Sequence, residues 1–198
     1  ARVGFVELFF DLVFVFAITQ VSHNLLAHLT PLGALQAAMA LAAIWWAWIY
    51  TSWVTNWLDP ETGPVQVALF VLMGIGLVMS AALPHAFEDK GLVFALAFVG
   101  IQVGRTVFML WAVRDDDSLR RNFLRILVWL LASAVLWIAG GLAEPEQRLW
   151  FWLAALAVEY ASPALYFFVP GLGRSHTDDW TIEGGHTVSY THLRAHET

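Results

Sequence analysis

The chain has 198 residues, of which 59% are hydrophobic and 13% charged, with a formal net charge of −6. Soluble domains carry about 25% charged residues, so this composition, with a mean hydropathy of +0.65, excludes an ordinary soluble domain and describes a membrane protein. The absence of cysteine excludes disulfides, thiolate metal sites and cysteine nucleophiles. Eleven tryptophans and fourteen phenylalanines suit helix surfaces that face lipid and anchor at the headgroup level.

Six apolar segments reach the ~20 residues needed to span a ~30 Å hydrocarbon core. They lie at about 5–26, 32–58, 65–84, 91–113, 121–141 and 148–169. Short stretches rich in turn residues separate them, such as Thr30-Pro31-Leu32-Gly33 and Asp59-Pro60-Glu61-Thr62-Gly63-Pro64. No segment alternates with period two, so the expected fold is an all-α transmembrane bundle in residues 1–186, with sequence neighbours packed antiparallel. The first segment opens with carboxylates, not a basic stretch, so no cleavable signal peptide is expected.

Loop charge sets the expected orientation. With the N-terminus in the cytoplasm, the inner side holds Arg2, Arg114, Arg120, Arg121, Arg125 and Arg174, and the outer side only Lys90 and Arg148. The positive-inside rule favours that placement, in the inner membrane of a bacterium as a multi-pass protein. The basic cluster Arg120, Arg121 and Arg125 follows Asp115, Asp116 and Asp117 and reads as this inside signal; no nucleic-acid partner is expected.

The first segment carries the chemistry. Glu7 and Asp11 lie one helical turn apart in an otherwise apolar run, and an ionisable side chain in hydrocarbon costs roughly 2.5–3.5 kcal/mol on insertion scales. Counting about 1.5 Å per residue from the inner ends, Asp11 sits roughly 9 Å deep, Arg105 on the fourth segment roughly 12 Å and Glu159 on the sixth roughly 15 Å. The three share a level. One reading is a structural ion pair of Asp11 with Arg105. The other starts from three carboxylates, Glu7, Asp11 and Glu159, facing one arginine, which leaves a carboxyl able to take up and release a proton or to hold a monovalent cation.

Further residues are candidates to line a pathway: Thr19, His23, Trp45, Trp48, Asn56, Asp59 and Gln102. On the second segment Trp45, Trp48, Ser52, Asn56 and Asp59 fall on one helical face, which is expected to point into the bundle, with the two indoles packed in the core or against Arg105. Gly100 and Gly104 form a small-xxx-small step beside Arg105, expected to admit a neighbouring backbone. Ser162-Pro163 is expected to kink the sixth helix. His23, His28, His85, Glu88 and Asp89 gather at the outer side with the right ligand types for zinc but no recognised spacing, so no metal site is assigned. No phosphate loop, nucleophile elbow or metalloprotease helix occurs, so neither a cofactor nor an enzymatic activity is expected.

The run Glu7-Leu8-Phe9-Phe10-Asp11-Leu12-Val13-Phe14-Val15, followed by Ala17-Ile18-Thr19-Gln20 and His23, resembles the first-helix motif of the bacterial low temperature requirement A proteins. Trp45-Trp46-Ala47-Trp48, Thr51, Asn56, Asp59-Pro60, Gly104-Arg105 and Asp179-Trp180 with His186 also fit, so the resemblance covers about residues 2 to 186. It implies a polytopic helical membrane protein associated with growth in the cold, of undetermined biochemical activity. Family members continue past the glycine-glycine-histidine step into a second set of helices; here residues 187–198 are polar and read as a non-native tail. The chain is accordingly expected to be an N-terminal fragment whose partner is the C-terminal half of the same protein. Phe9, Asp11 and Thr19 are also similar in spacing to the first-helix motif of lysosomal potassium channels, although Phe10 and Phe5 stand where those carry serine and arginine. The function expected is a proton- or cation-coupled transporter in contact with the lipid bilayer; a cation channel and a structural or stress-related membrane component are the alternatives.

Overall fold

The computed structural model describes residues 5–59 and 62–174, with side chains from Leu8 onward. Six α-helices follow one another: α1 (Phe5–Ala27), α2 (Pro31–Thr55), α3 (Gly63–Ala82), α4 (Gly91–Ala112), α5 (Asp117–Leu142) and α6 (Pro145–Ala164), with a 3₁₀ turn at Leu83–His85. Their starts follow from local chemistry. The Thr30 hydroxyl accepts from the Gly33 N–H at 3.0 Å ahead of Pro31, and the Asp116 carboxylate accepts from the N–H groups of Ser118 and Leu119, both at 3.1 Å. Pro145 opens α6 in the same manner. Among the described residues the extended contacts amount to an isolated bridge between Val169 and Gly173.

The helices close into a ring that does not follow chain order. Going round, α1 packs on α3, α3 on α4, α4 on α5, α5 on α6, α6 on α2, and α2 returns to α1, while α2 also reaches α4 across the interior. The expectation that all sequence neighbours pack together fails at α2 and α3, because α1 takes the place beside α3. On α1 the buried side chains are Phe10, Val13, Phe14, Ala17 and Val21, one stripe at helical spacing. The outward surfaces are apolar too, with Phe70, Val71, Leu131, Val135 and Trp150 exposed, as a lipid-facing surface requires.

Five helices, α1 to α5, are long and apolar enough to cross a membrane. The sixth helix, α6, has twenty residues, Glu146, Arg148 and Glu159 among them, and is the most polar of the six. Pro163 falls near the end of this helix. It lies in the last turn, and the chain leaves the helix after Ala164. The backbone then turns through positive φ at Tyr166 and Phe167, a sparsely populated conformation for such bulky residues. This turn drives the Phe167 ring into a cluster with Tyr50, Met109, Phe123 and Ile126, while Arg125 Nε donates to the Leu172 carbonyl at 2.8 Å and Trp129 Nε1 to the Phe168 carbonyl at 3.2 Å.

Candidate functional site

Two charged side chains lie in the ring's interior, Arg105 on α4 and Glu159 on α6, each only 2% exposed. They are near enough to influence each other electrostatically, yet no ion pair joins them. Each is held by a different wall. Arg105 Nη1 donates to the Ala47 carbonyl at 3.3 Å and the Thr51 hydroxyl at 3.1 Å on α2, and its guanidinium lies over the Tyr50 ring, 5.1 Å from the centroid. Glu159 Oε1 accepts from the Ser133 hydroxyl of α5 at 2.9 Å. Gln102 and Trp137 stand beside the same carboxyl. Neither reaches hydrogen-bonding geometry, so Oε2, both polar atoms of the Gln102 amide, Trp137 Nε1, and Nε and Nη2 of Arg105 are left without hydrogen-bond partners.

A buried polar atom without a partner costs about 1–3 kcal/mol, and here several gather at one place. The small inward face of α2 makes room for them: Ala43, Ala47 and Thr51 are fully buried and bring the helix close to α4. Arg105 and Glu159, expected at one level from depth arithmetic, both face this interior. Gln102 joins them from one turn away on α4.

Asp11 does not. It sits on the exposed side of α1, in a groove of about 250 Å³ between α1 and α2 lined by Phe14, Val15, Ile18, Ile44, Trp45 and Trp48. Its Oδ1 accepts from Trp48 Nε1 at 2.9 Å, and it forms no ion pair with Arg105. The physical reason is rotational: helical rise sets depth, but the Phe10, Val13, Phe14 stripe turns α1 so that Asp11 faces away from the interior. The Trp45, Trp48, Ser52, Asn56, Asp59 face is likewise not the bundle-facing one. Trp45 is 49% exposed and Asn56 and Asp59 lie at the surface, whereas the inward face is the Ala43, Ala47, Thr51 side. Arg105 takes Tyr50 as its aromatic partner instead of Trp45 or Trp48.

The sequence pattern of the family described as bacterial low temperature requirement A protein (LtrA) matches residues 2–188, nearly the whole chain. The chain belongs to this family. An uncharacterized protein of Rhizobium meliloti (strain 1021) is 45% identical over 193 residues, which are 97% of this chain and 47% of the relative. The chain therefore spans about half the length of the curated relative it matches. No solved structure matches it.

Around the interior pair, the remaining predicted residues of this low temperature requirement A chain are dispersed. Thr19 and His23 lie exposed on α1, and the Thr19 hydroxyl is spent on the Val15 carbonyl at 2.9 Å. The side chain of Glu7 and residues 187–198 lie outside the described residues. Gly104 does not receive a backbone, since a β-carbon there would meet nothing within 4 Å, while Gly100 faces Ile75 of α3. His85, Glu88 and Asp89 do come together: their ligand atoms lie within 4.8 Å of one another, all exposed, with His85 Nδ1 3.0 Å from Glu88 Oε2. His23 and His28 are not part of that group.

One residue of the low temperature requirement A chain was misread in the sequence, as a loop charge: Arg148. It is 5% exposed and uses all five guanidinium N–H donors on five carbonyls. Nε donates to Gly140 at 2.9 Å, Nη1 to Ala86 at 3.1 Å and Glu88 at 2.6 Å, and Nη2 to Gly141 at 3.3 Å and Ala143 at 3.1 Å. It caps the C-terminus of α5 and ties it to the turn before α4, where negative partial charge collects. The available signal was glycine: Gly91, Gly140 and Gly141 flank the site, and a β-carbon at Gly91 would run into the guanidinium.

Proposed function

We propose that this chain is part of a proton- or cation-coupled transporter of the bacterial inner membrane, oriented with its N-terminus in the cytoplasm. One observation carries the reading: Arg105 and Glu159 face the same interior from α4 and α6, both buried and unpaired with each other, with polar atoms left unpartnered. A buried arginine and carboxylate that serve structure alone gain most by closing into a hydrogen-bonded pair. Here the two are held apart by Thr51 and Ser133, an arrangement that lets Glu159 change its proton or cation occupancy while Arg105 stays fixed.

The test is flux in proteoliposomes of the full-length relative, driven by a pH or cation gradient, with the counterparts of Glu159→Gln and Asp11→Asn. Gradient-coupled flux that falls more than about tenfold in the Glu159 variant, equivalent to ~1.4 kcal/mol, is the expected result. Conductance that needs no coupled proton would replace the transporter with a cation channel. Flux unchanged by Glu159→Gln would reduce the pair to helix packing.

A further inference from the structure

The groove around Asp11 has a composition that the interior pair does not explain. A carboxylate in a spanning helix normally faces a bundle interior or an opposite charge. Asp11 has neither. It forms no ion pair among the described residues, and no basic side chain lines its groove. Trp48 Nε1 occupies a lone pair of Oδ1 at 2.9 Å, and the carboxylate lines a space of about 250 Å³. The walls are otherwise aromatic and aliphatic, with the Trp45 and Trp48 rings 5.5 Å apart and inclined at 44°.

This combination discriminates between kinds of cation. An inorganic ion such as calcium or magnesium takes six or more oxygen ligands or keeps its waters, and one carboxylate among indoles and aliphatic chains cannot replace them. A lipophilic organic ammonium spreads its charge over an apolar surface and needs only an anionic contact, aromatic faces and hydrophobic walls. Such cations also partition into the bilayer, and Asp11 lies on the exposed side of α1. We propose that the Asp11 groove between α1 and α2 binds a lipophilic organic ammonium ion, with Asp11 as counter-ion and Trp45 and Trp48 as the aromatic wall. The proposal concerns binding and stands whether or not Glu159 couples a flux.

It is tested by titrating benzyltrimethylammonium into the 198-residue chain in lipid nanodiscs, read by calorimetry with no gradient present. Saturable one-to-one binding is expected, weakened at least about tenfold by Asp11→Asn and largely retained in Asp11→Glu. Benzyltrimethylsilane, the neutral isostere, is expected to bind at least about tenfold more weakly than the cation. Trp45→Ala provides a second test that does not touch the carboxylate: Trp45 is half-exposed, so its loss is expected to leave the melting temperature in place and lower affinity several-fold. Absence of saturable binding, equal affinity of the Asp11→Asn chain, or equal affinity for the silane would each overturn the proposal. So would a nanodisc population of dimers that excludes the probe, which would make the groove a helix-docking surface.

Discussion

Arg148 shows how backbone carbonyls hold a buried charged side chain at a helix end. Five carbonyl oxygens, each carrying partial negative charge, together replace one carboxylate and the hydration shell. Arg148→Met is expected to cost about 2–4 kcal/mol, seen as a lower denaturation midpoint of the solubilised chain. Arg148→Lys should recover only part of that, because an ammonium has three donors and no planar fork. Gly91→Ala would displace the same guanidinium, so the double variant Gly91→Ala with Arg148→Met should fall well short of the sum of the single losses. Additivity within about 0.5 kcal/mol would show that glycine and arginine act separately.

At the scale of an element, α2 decides the bundle, and it was also the hardest helix to read. Its existence and limits were plain from hydropathy, Pro31 and the Asp59-Pro60 break, and the structure ends it at Thr55. Its orientation was not. Tryptophans far from a helix end and a trailing Asn56 and Asp59 suggested an interior face, but close approach between helices selects the smallest side chains, and those are Ala43 and Ala47. The same cause hid the place of Asp11: rise per residue gives depth, while azimuth depends on which helices are neighbours. Arg105 and Glu159 were legible because each lies on the buried stripe of its helix, with Ile101, Gln102 and Met109 on α4 and with Trp152, Ala155 and Ser162 on α6. Substitution can check the α2 assignment. Ala47→Leu should cost about 1–3 kcal/mol by overpacking the crossing with α4, whereas Trp45→Leu should lie within about 0.5 kcal/mol of wild type in thermal melts. Thr51→Val, which keeps shape and removes the acceptor for Arg105, should cost about 1–3 kcal/mol.

At the scale of the whole chain, the proposed orientation puts the starts of α4 and α5, at Gly91 and Asp117, on opposite sides of the membrane. Since the chain has no cysteine, Asp89→Cys and Ser118→Cys give clean probes. A membrane-impermeant maleimide should label the first from outside intact cells and the second only after permeabilisation, as the distribution of arginines requires. Labelling of both from one side would break the proposed orientation.

Ring closure also imposes an order of biogenesis. The helices emerge from the ribosome as α1 to α6, so α2 can meet α1 and α4 before α6, its other neighbour in the ring, is made. Until then the α5 carbonyls await the arginine that caps them. A nascent chain halted before residue 145 thus carries an unfinished helix end, with backbone acceptors that lack their partner. Among the described helices α6, the most polar of the six, completes the ring between α5 and α2.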